Sequence, residues 1–295
     1  MNRTHWSRPL LVALLLAATP AAAPAATIVE YFNNYGTTDA DSNGLGSAGD
    51  GWAGAWTAGS NRGAYRANTA LSFTGAGFTA PANETGTNDG TLAAGSSAGV
   101  ANTIFRAFDV DPVTVGNQGL TGTIWLSALV NVSRNGKDIF MVLDNNSTND
   151  ALALRGSTGL GAGNTSNVPE PVIKYNGGTD ASSTVTFAAG VTHLFLAKIV
   201  IDASGTSDTI DFWINPTLGA TGPTSPTVYS KSGSNPYGTS FDGVGFTFAS
   251  AGGSVDAIRI SNDANAYEAV VGIPEPGTAL LLAAAGLLAL TRRHA

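Results

Sequence analysis

The chain has 295 residues, a formal net charge of −7, three histidines and no cysteine. The acidic balance argues against nucleic acid or anionic lipid as a partner, and the missing cysteines exclude a disulfide framework. His5 and His294 lie at the two ends, so His193 is the one imidazole of the interior, too few for a multi-histidine zinc site.

The first 26 residues read as a secretory signal peptide: Arg3 and Arg8 form a positive start, Leu10 to Ala18 an apolar run, and small residues continue up to Ala26. Cleavage after Ala25 or Ala26 keeps Pro24 off the new terminus, and Ala26 is the preferred site. The general secretion machinery is the partner this segment implies; an uncleaved anchor is the alternative. From residue 27 to residue 273, ten lysines and arginines stand against twenty carboxylates, so the exported part carries about −10.

The next segment with chemistry is DADSNGLGSAGD, residues 39–50. Asp39, Asp41 and Asn43 fall at positions 1, 3 and 5 of a calcium-loop pattern, Gly44 at position 6 and Asp50 at position 12. Alternate oxygen ligands around a glycine turn suit a hard cation, and calcium is the one cofactor the chain suggests. Three departures weaken it: Asp50 stands where a bidentate Glu is usual, Gly46 replaces an apolar residue, and no helix-forming sequence flanks the loop. A solvated Asx-rich turn is the competing reading.

Strand signals then recur with turn chemistry between them. TIWLSALVNV (123–132) alternates with a period of two, and DIFMVLD (138–144) comes next across Ser133-Arg134-Asn135-Gly136, which predicts a hairpin. HLFLAKIVID and DTIDFWIN predict a second hairpin, joined at residues 203–207. VGFTFAS (244–250) and SVDAIRIS (254–261) are further strands. Residues 82–101 and 156–184 are poor in large apolar side chains and are expected to be long loops. With 37 glycines in the chain and no long stripe of 3.6-residue period in the exported part, helices are a minor component. The expected fold is all-β, a two-sheet sandwich over residues 27–272.

KIVIDASGTSDTIDFWINPTLG (198–219), with GDGWAGAW (49–56) and FDGVGFTFASAGGSVDAIRIS (241–261), resembles laminin G-like domains of the concanavalin A-type jelly roll. That resemblance implies a jelly-roll architecture and invites a glycoside hydrolase, which needs two carboxylates flanking the scissile bond. Jelly-roll glucanases present them on a Glu-x-Asp-x-x-Glu strand, and this chain has none; Glu30, Glu84, Glu170 and Glu268 are isolated in sequence. No catalytic residue is assigned and no enzyme activity is expected. His193 begins an apolar strand and is expected to be a satisfied strand-end residue. For sugar binding, Trp56 beside a glycine-rich loop is the tryptophan expected to be exposed, since an aromatic face matches the C–H face of a pyranose; burial is the competing reading.

The end of the chain, IPEPGTALLLAAAGLLALTRRHA (273–295), is the most specific segment. Its uncharged run from Gly277 to Thr291 spans 15 residues, about 22 Å as a helix against roughly 30 Å of hydrocarbon, a marginal membrane span. Arg292 and Arg293 close it, and positive-inside bias leaves the sandwich outside the cytoplasm. Pro274, Glu275 and Pro276, the short apolar run and the arginine pair, in that order, closely resemble the PEP-CTERM sorting signal of Gram-negative bacteria. The resemblance implies recognition by an exosortase, an integral-membrane cysteine protease or transpeptidase, with transient membrane contact through the tail before its removal. A second Pro-Glu-Pro at residues 169–171 lacks the apolar run and the arginines and is read as a loop. A permanent single-pass anchor is the alternative for the tail. Together these readings describe an exported protein of the cell surface or extracellular matrix, with a structural or glycan-binding sandwich; in the glycan-binding case its partner is extracellular polysaccharide. The polysaccharide-degrading hydrolase is the alternative.

Overall fold

The structure is a computed structural model that describes the strands and helix named below together with residues 32, 52–54, 56, 71–75, 78, 108, 119–122, 188, 190–191, 201–202, 207, 215–228, 262–265 and 272. In chain order the elements are β1 (Thr27–Glu30), β2 (Thr57–Ala58), β3 (Ala64–Ala67), β4 (Thr91–Ala94), β5 (Ala101–Ala107), β6 (Thr123–Val132), β7 (Asp138–Leu143), β8 (Ala151–Arg155), β9 (Glu170–Tyr175) and β10 (Gly178–Ala181). They continue with β11 (Thr192–Val200), β12 (Asp208–Ile214), β13 (Tyr229–Gly233), β14 (Gly243–Ala249), β15 (Gly253–Ser261) and α1 (Ala266–Val271).

The strands form two antiparallel sheets. One has eight strands in the order β13-β12-β11-β6-β15-β4-β3, with β1 also paired to β15; the other has seven, β10-β9-β8-β7-β14-β5-β2. The chain passes from one sheet to the other at β1–β2, β2–β3, β4–β5, β5–β6, β6–β7, β10–β11, β13–β14 and β14–β15. Such repeated crossing is the mark of a jelly-roll sandwich, in agreement with the expected fold. The β11–β12 hairpin forms as predicted, Phe195 opposite Ile214 through Val200 opposite Thr209.

Three local expectations are corrected. The β6–β7 pair is not a hairpin: β6 is flanked by β11 and β15, so residues 133–137 carry the chain to the other sheet, where β7 lies between β14 and β8. Four turn-forming residues serve a crossover as well as a hairpin, and only the partner strands decide which. The second Pro-Glu-Pro is not a loop either, because Glu170 opens β9 and Pro171 faces Leu154 of β8. Pairing with β10 begins only at Val172, so Pro171 has a strand neighbour on one side alone, where a proline is tolerated. The segments expected to be long loops likewise contain β4, β9 and β10.

Alternation sets the core between the sheets. Ile124, Leu126, Ala128 and Val130 of β6 meet Phe195, Ala197 and Ile199 of β11, Ile258 and Ile260 of β15, and Val244 and Phe246 from the opposing sheet, all buried. The other face of the eight-stranded sheet is covered too. Trp125, Leu129, Leu194, Leu196 and Trp213 pack under Tyr267, Val270 and Val271 of α1 and beside Leu71, Phe73 and Phe78. Trp125 stacks on Trp213 at 5.8 Å and meets Tyr267 edge-on at 4.9 Å. Burial on both faces is why TIWLSALVNV is apolar at alternate positions on each side.

Candidate functional site

β15 carries a bulge where α1 and residues 71–78 converge. Its pairing with β6 shifts between Asp256, opposite Leu129, and Arg259, opposite Ser127, so two residues stand against one. Ala257 takes φ 49° there. The buried Asp256 holds the distortion: one carboxylate oxygen accepts the Ala257 N–H at 2.7 Å and the other the Leu71 N–H at 2.9 Å. Just beyond the bulge, Ser127 Oγ and Arg259 Nη1 both donate to the Val270 carbonyl, at 2.6 and 3.4 Å. These bonds satisfy a carbonyl that the end of α1 would otherwise leave open.

The helix stops at Gly272, whose φ of 74° suits glycine and whose N–H donates to the Glu268 carbonyl at 2.9 Å. Its start is fixed by Asp263, which accepts the Asn265 N–H at 2.8 Å and, on its other oxygen, the Thr27 hydroxyl at 2.8 Å. The Thr27 and Ser261 hydroxyls lie 2.9 Å apart, and β1 pairs with β15 from Thr27 opposite Ser261 to Glu30 opposite Ile258. The first strand and the last helix are thus fastened to one strand, β15.

Glu30 points from β1 into the sandwich and meets Arg106 of β5. Their ion pair is 2.5 Å long with both side chains buried. Glu30 also accepts the Phe32 N–H at 2.9 Å and the Trp56 indole N–H at 3.2 Å, while Arg106 Nε donates to the Gly54 carbonyl at 2.7 Å. The guanidinium lies 4.6 Å from the Trp52 ring centroid. Trp56 packs on Phe32, Trp52 and Phe246 at 5.8 to 6.1 Å.

This overturns the exposure expected of Trp56. The residue is 1% exposed, its indole N–H is used internally, and neither ring face is open to a sugar. The signal for burial was present in sequence only as Glu30 and Arg106, 76 positions apart, and no spacing rule connects them. The glycine-rich surroundings instead supply backbone contacts, the Gly54 carbonyl among them.

His193 is held as expected of a strand-end residue. Its Nε2 is 3.0 Å from the Ala188 carbonyl and its Nδ1 is 2.9 Å from the Asn215 amide nitrogen. The carbonyl only accepts and the amide nitrogen only donates, so Nε2 serves as the donor and Nδ1 as the acceptor. Among the described residues no three histidines, aspartates and glutamates gather as a metal site. Asp39, Asp41, Asn43 and Asp50 lie outside the described residues, as do Ala26, Pro274, Glu275, Pro276, Arg292 and Arg293. Among the described residues no helix is long and apolar enough to cross a membrane.

On the outer face of the seven-stranded sheet, Phe105 is half-buried opposite Gly245. A side chain at Gly243 would collide with the Phe105 ring and stand 2.6 Å from the Arg106 carbonyl oxygen. Glycine at 243 is what lets the aromatic ring lie down on the sheet.

Residues 272–294 match the family described as the PEP-CTERM protein-sorting motif. The chain ends in a PEP-CTERM sorting signal. The motif marks an exported protein sorted to the cell surface, with an exosortase as its processing partner. It opens at Gly272, the residue that caps α1. No curated protein matches the chain. Solved structures similar to it include the T. cruzi calreticulin globular domain, at 15% identity and a TM-score of 0.39, covering 81% of this chain and 95% of that one. Arcelin-5, a lectin-like defense protein from Phaseolus vulgaris, is 11% identical with a TM-score of 0.36, covering 82% of this chain and 99% of that one. A GH131 beta-glucanase catalytic domain from Podospora anserina is 10% identical with a TM-score of 0.37, covering 68% of this chain and 79% of that one.

Proposed function

We propose that this is a non-catalytic surface or extracellular-matrix protein of a Gram-negative bacterium, whose jelly roll is delivered by its signal peptide and released when an exosortase removes the tail. The observation that supports it is the junction at Gly272. The last described element is a capped helix that stops at the residue where the sorting motif begins, so removal of the motif beyond Gly272 takes none of the described strands or core residues from the sandwich. Mass spectrometry of the surface-associated protein tests this. A peptide containing Leu287 to Ala295 refutes processing and leaves the single-pass anchor in its place.

A second reading, glycan binding by the sandwich, moves from Trp56 to Phe105. The support is a half-buried aromatic ring on an outer sheet face, lying over glycine backbone. On a glycan array, Phe105→Ala is expected to lose whatever polysaccharide signal the native protein gives. Equal signal from both proteins removes Phe105 from the reading, and turnover of a bound polysaccharide would replace it with the hydrolase.

A further inference from the structure

The first strand bears on where the signal peptide can end. β1 supplies the buried Ile28 and the Glu30 carboxylate that neutralises Arg106, so the sandwich needs the chain from Thr27 onward. The Ala26–Thr27 bond is therefore the last bond at which a cut leaves the fold whole. Thr27 already sits on its partners, with Ser261 opposite and its hydroxyl on Asp263.

Among the described residues the partners of the Asp263 carboxylate are neutral, the Thr27 hydroxyl and the Asn265 N–H. In the uncut chain the Thr27 nitrogen is an amide and brings no charge. Hydrolysis of the Ala26–Thr27 bond changes that: water gives its OH to the Ala26 carbonyl carbon and a proton to the Thr27 nitrogen, and the amine takes a second proton at neutral pH. The nitrogen and Oγ1 of a threonine are borne on adjacent carbons, Cα and Cβ. The new cation thus appears next to a carboxylate that holds that hydroxyl.

We infer that signal-peptide removal completes an ion pair between the Thr27 α-ammonium and Asp263, fastening the mature N-terminus to the turn that starts α1 and hence to the helix that precedes the sorting motif. The pair rests on the reading of Ala26 as the cleavage site, and the test separates the two. Protein from the exporting cell is first characterised by N-terminal sequencing. A terminus other than Thr27 overturns the cleavage reading and the pair with it.

With Thr27 at the terminus, the α-amine is acetylated selectively at pH 6.5, where lysines stay protonated, in the native protein and in Asp263→Asn. Acetylation is expected to lower the Tm of the native protein by about 2 °C, as for an exposed pair in a domain of this size, and to leave Asp263→Asn unchanged. Equal shifts in both, or none in the native protein, overturn the pair. If Asp263→Asn does not fold, 1 M NaCl takes its place, since screening over roughly 3 Å must shrink the acetylation effect. A shift that survives the salt overturns the pair as well.

Discussion

Arg106→Met tests the buried centre of the sandwich. The substitution keeps the length of an apolar stem but removes the charge opposite Glu30, the donor to Gly54 and the cation over Trp52. Arg106 is 1% and Glu30 5% exposed, so water cannot take over the lost partner. Breaking a buried pair from one side costs about 3–5 kcal/mol, because the carboxylate, which also accepts the Phe32 and Trp56 N–H groups, is left desolvated without its counter-charge. At about 2–4 °C per kcal/mol for a domain of this size, the melting temperature should fall by roughly 6–20 °C. A urea titration of the full chain, extrapolated to water, gives the free energy directly. Glu30→Gln added to Arg106→Met should recover part of the loss, since no uncompensated charge then remains inside. A loss below about 1 kcal/mol in the single variant, or no recovery in the double, would refute the account of Glu30 and Arg106 as a mutually dependent pair.

Three other substitutions or treatments read the rest. Trp56→Ala removes a buried ring packed on Phe32, Trp52 and Phe246 and should cost about 3–5 kcal/mol in a urea titration; unchanged stability would place the indole back at the surface. Burial pushes the Tyr267 phenol up to about 12, opposed by the Gly219 backbone and helped by the Glu268 carboxylate. The folded state therefore keeps this proton longer than the unfolded chain, whose phenol ionises near 10, and the contribution to stability is full below pH 10 and declines toward pH 12. Stability against urea should fall with pH across that window in the native protein and fall less in Tyr267→Phe. If Asp39, Asp41, Asn43 and Asp50 hold calcium, excess calcium should raise the melting temperature above that in chelator, by about 2.7 kcal/mol worth at a hundredfold excess over Kd; coincident melts rule it out.

The sequence carried the period-two strands, the β11–β12 hairpin and the sorting tail because each is written within about twenty consecutive residues. What it did not carry lies in pairings across long separations. Nothing local distinguishes residues 133–136 as a crossover instead of a hairpin turn, since the difference is that β6 is claimed by β11 and β15. α1 has only six residues, too few for a periodic stripe to stand out, and it exists because Tyr267, Val270 and Val271 find an apolar face already prepared by Trp125 and Leu129. That face could have been noticed: TIWLSALVNV places Trp125 and Leu129 on the side a one-faced sheet would leave polar, which calls for a cover. Trp56 was misjudged for the opposite reason, because glycine neighbours suggest exposure and the residues that bury it come from β1, β5 and β14.

The two proposed processing sites flank elements that are tied to the same strand. β15 is the next-to-last element, yet it pairs with β1 on one side, with the central β6 on the other, and supplies Arg259 to the end of α1. Its pairing with β1 spans more than two hundred residues of chain, so the eight-stranded sheet cannot be completed until nearly all of the exported part has crossed the membrane. Under the proposed function, the general secretion machinery delivers the N-terminus first and the sorting motif last. On that reading the residues that start at Gly272 follow β15, the last described strand of the sandwich, out of the membrane. A motif placed before β15 would offer the cut while the sheet was still open, and removal there would discard a strand that holds both ends of the fold.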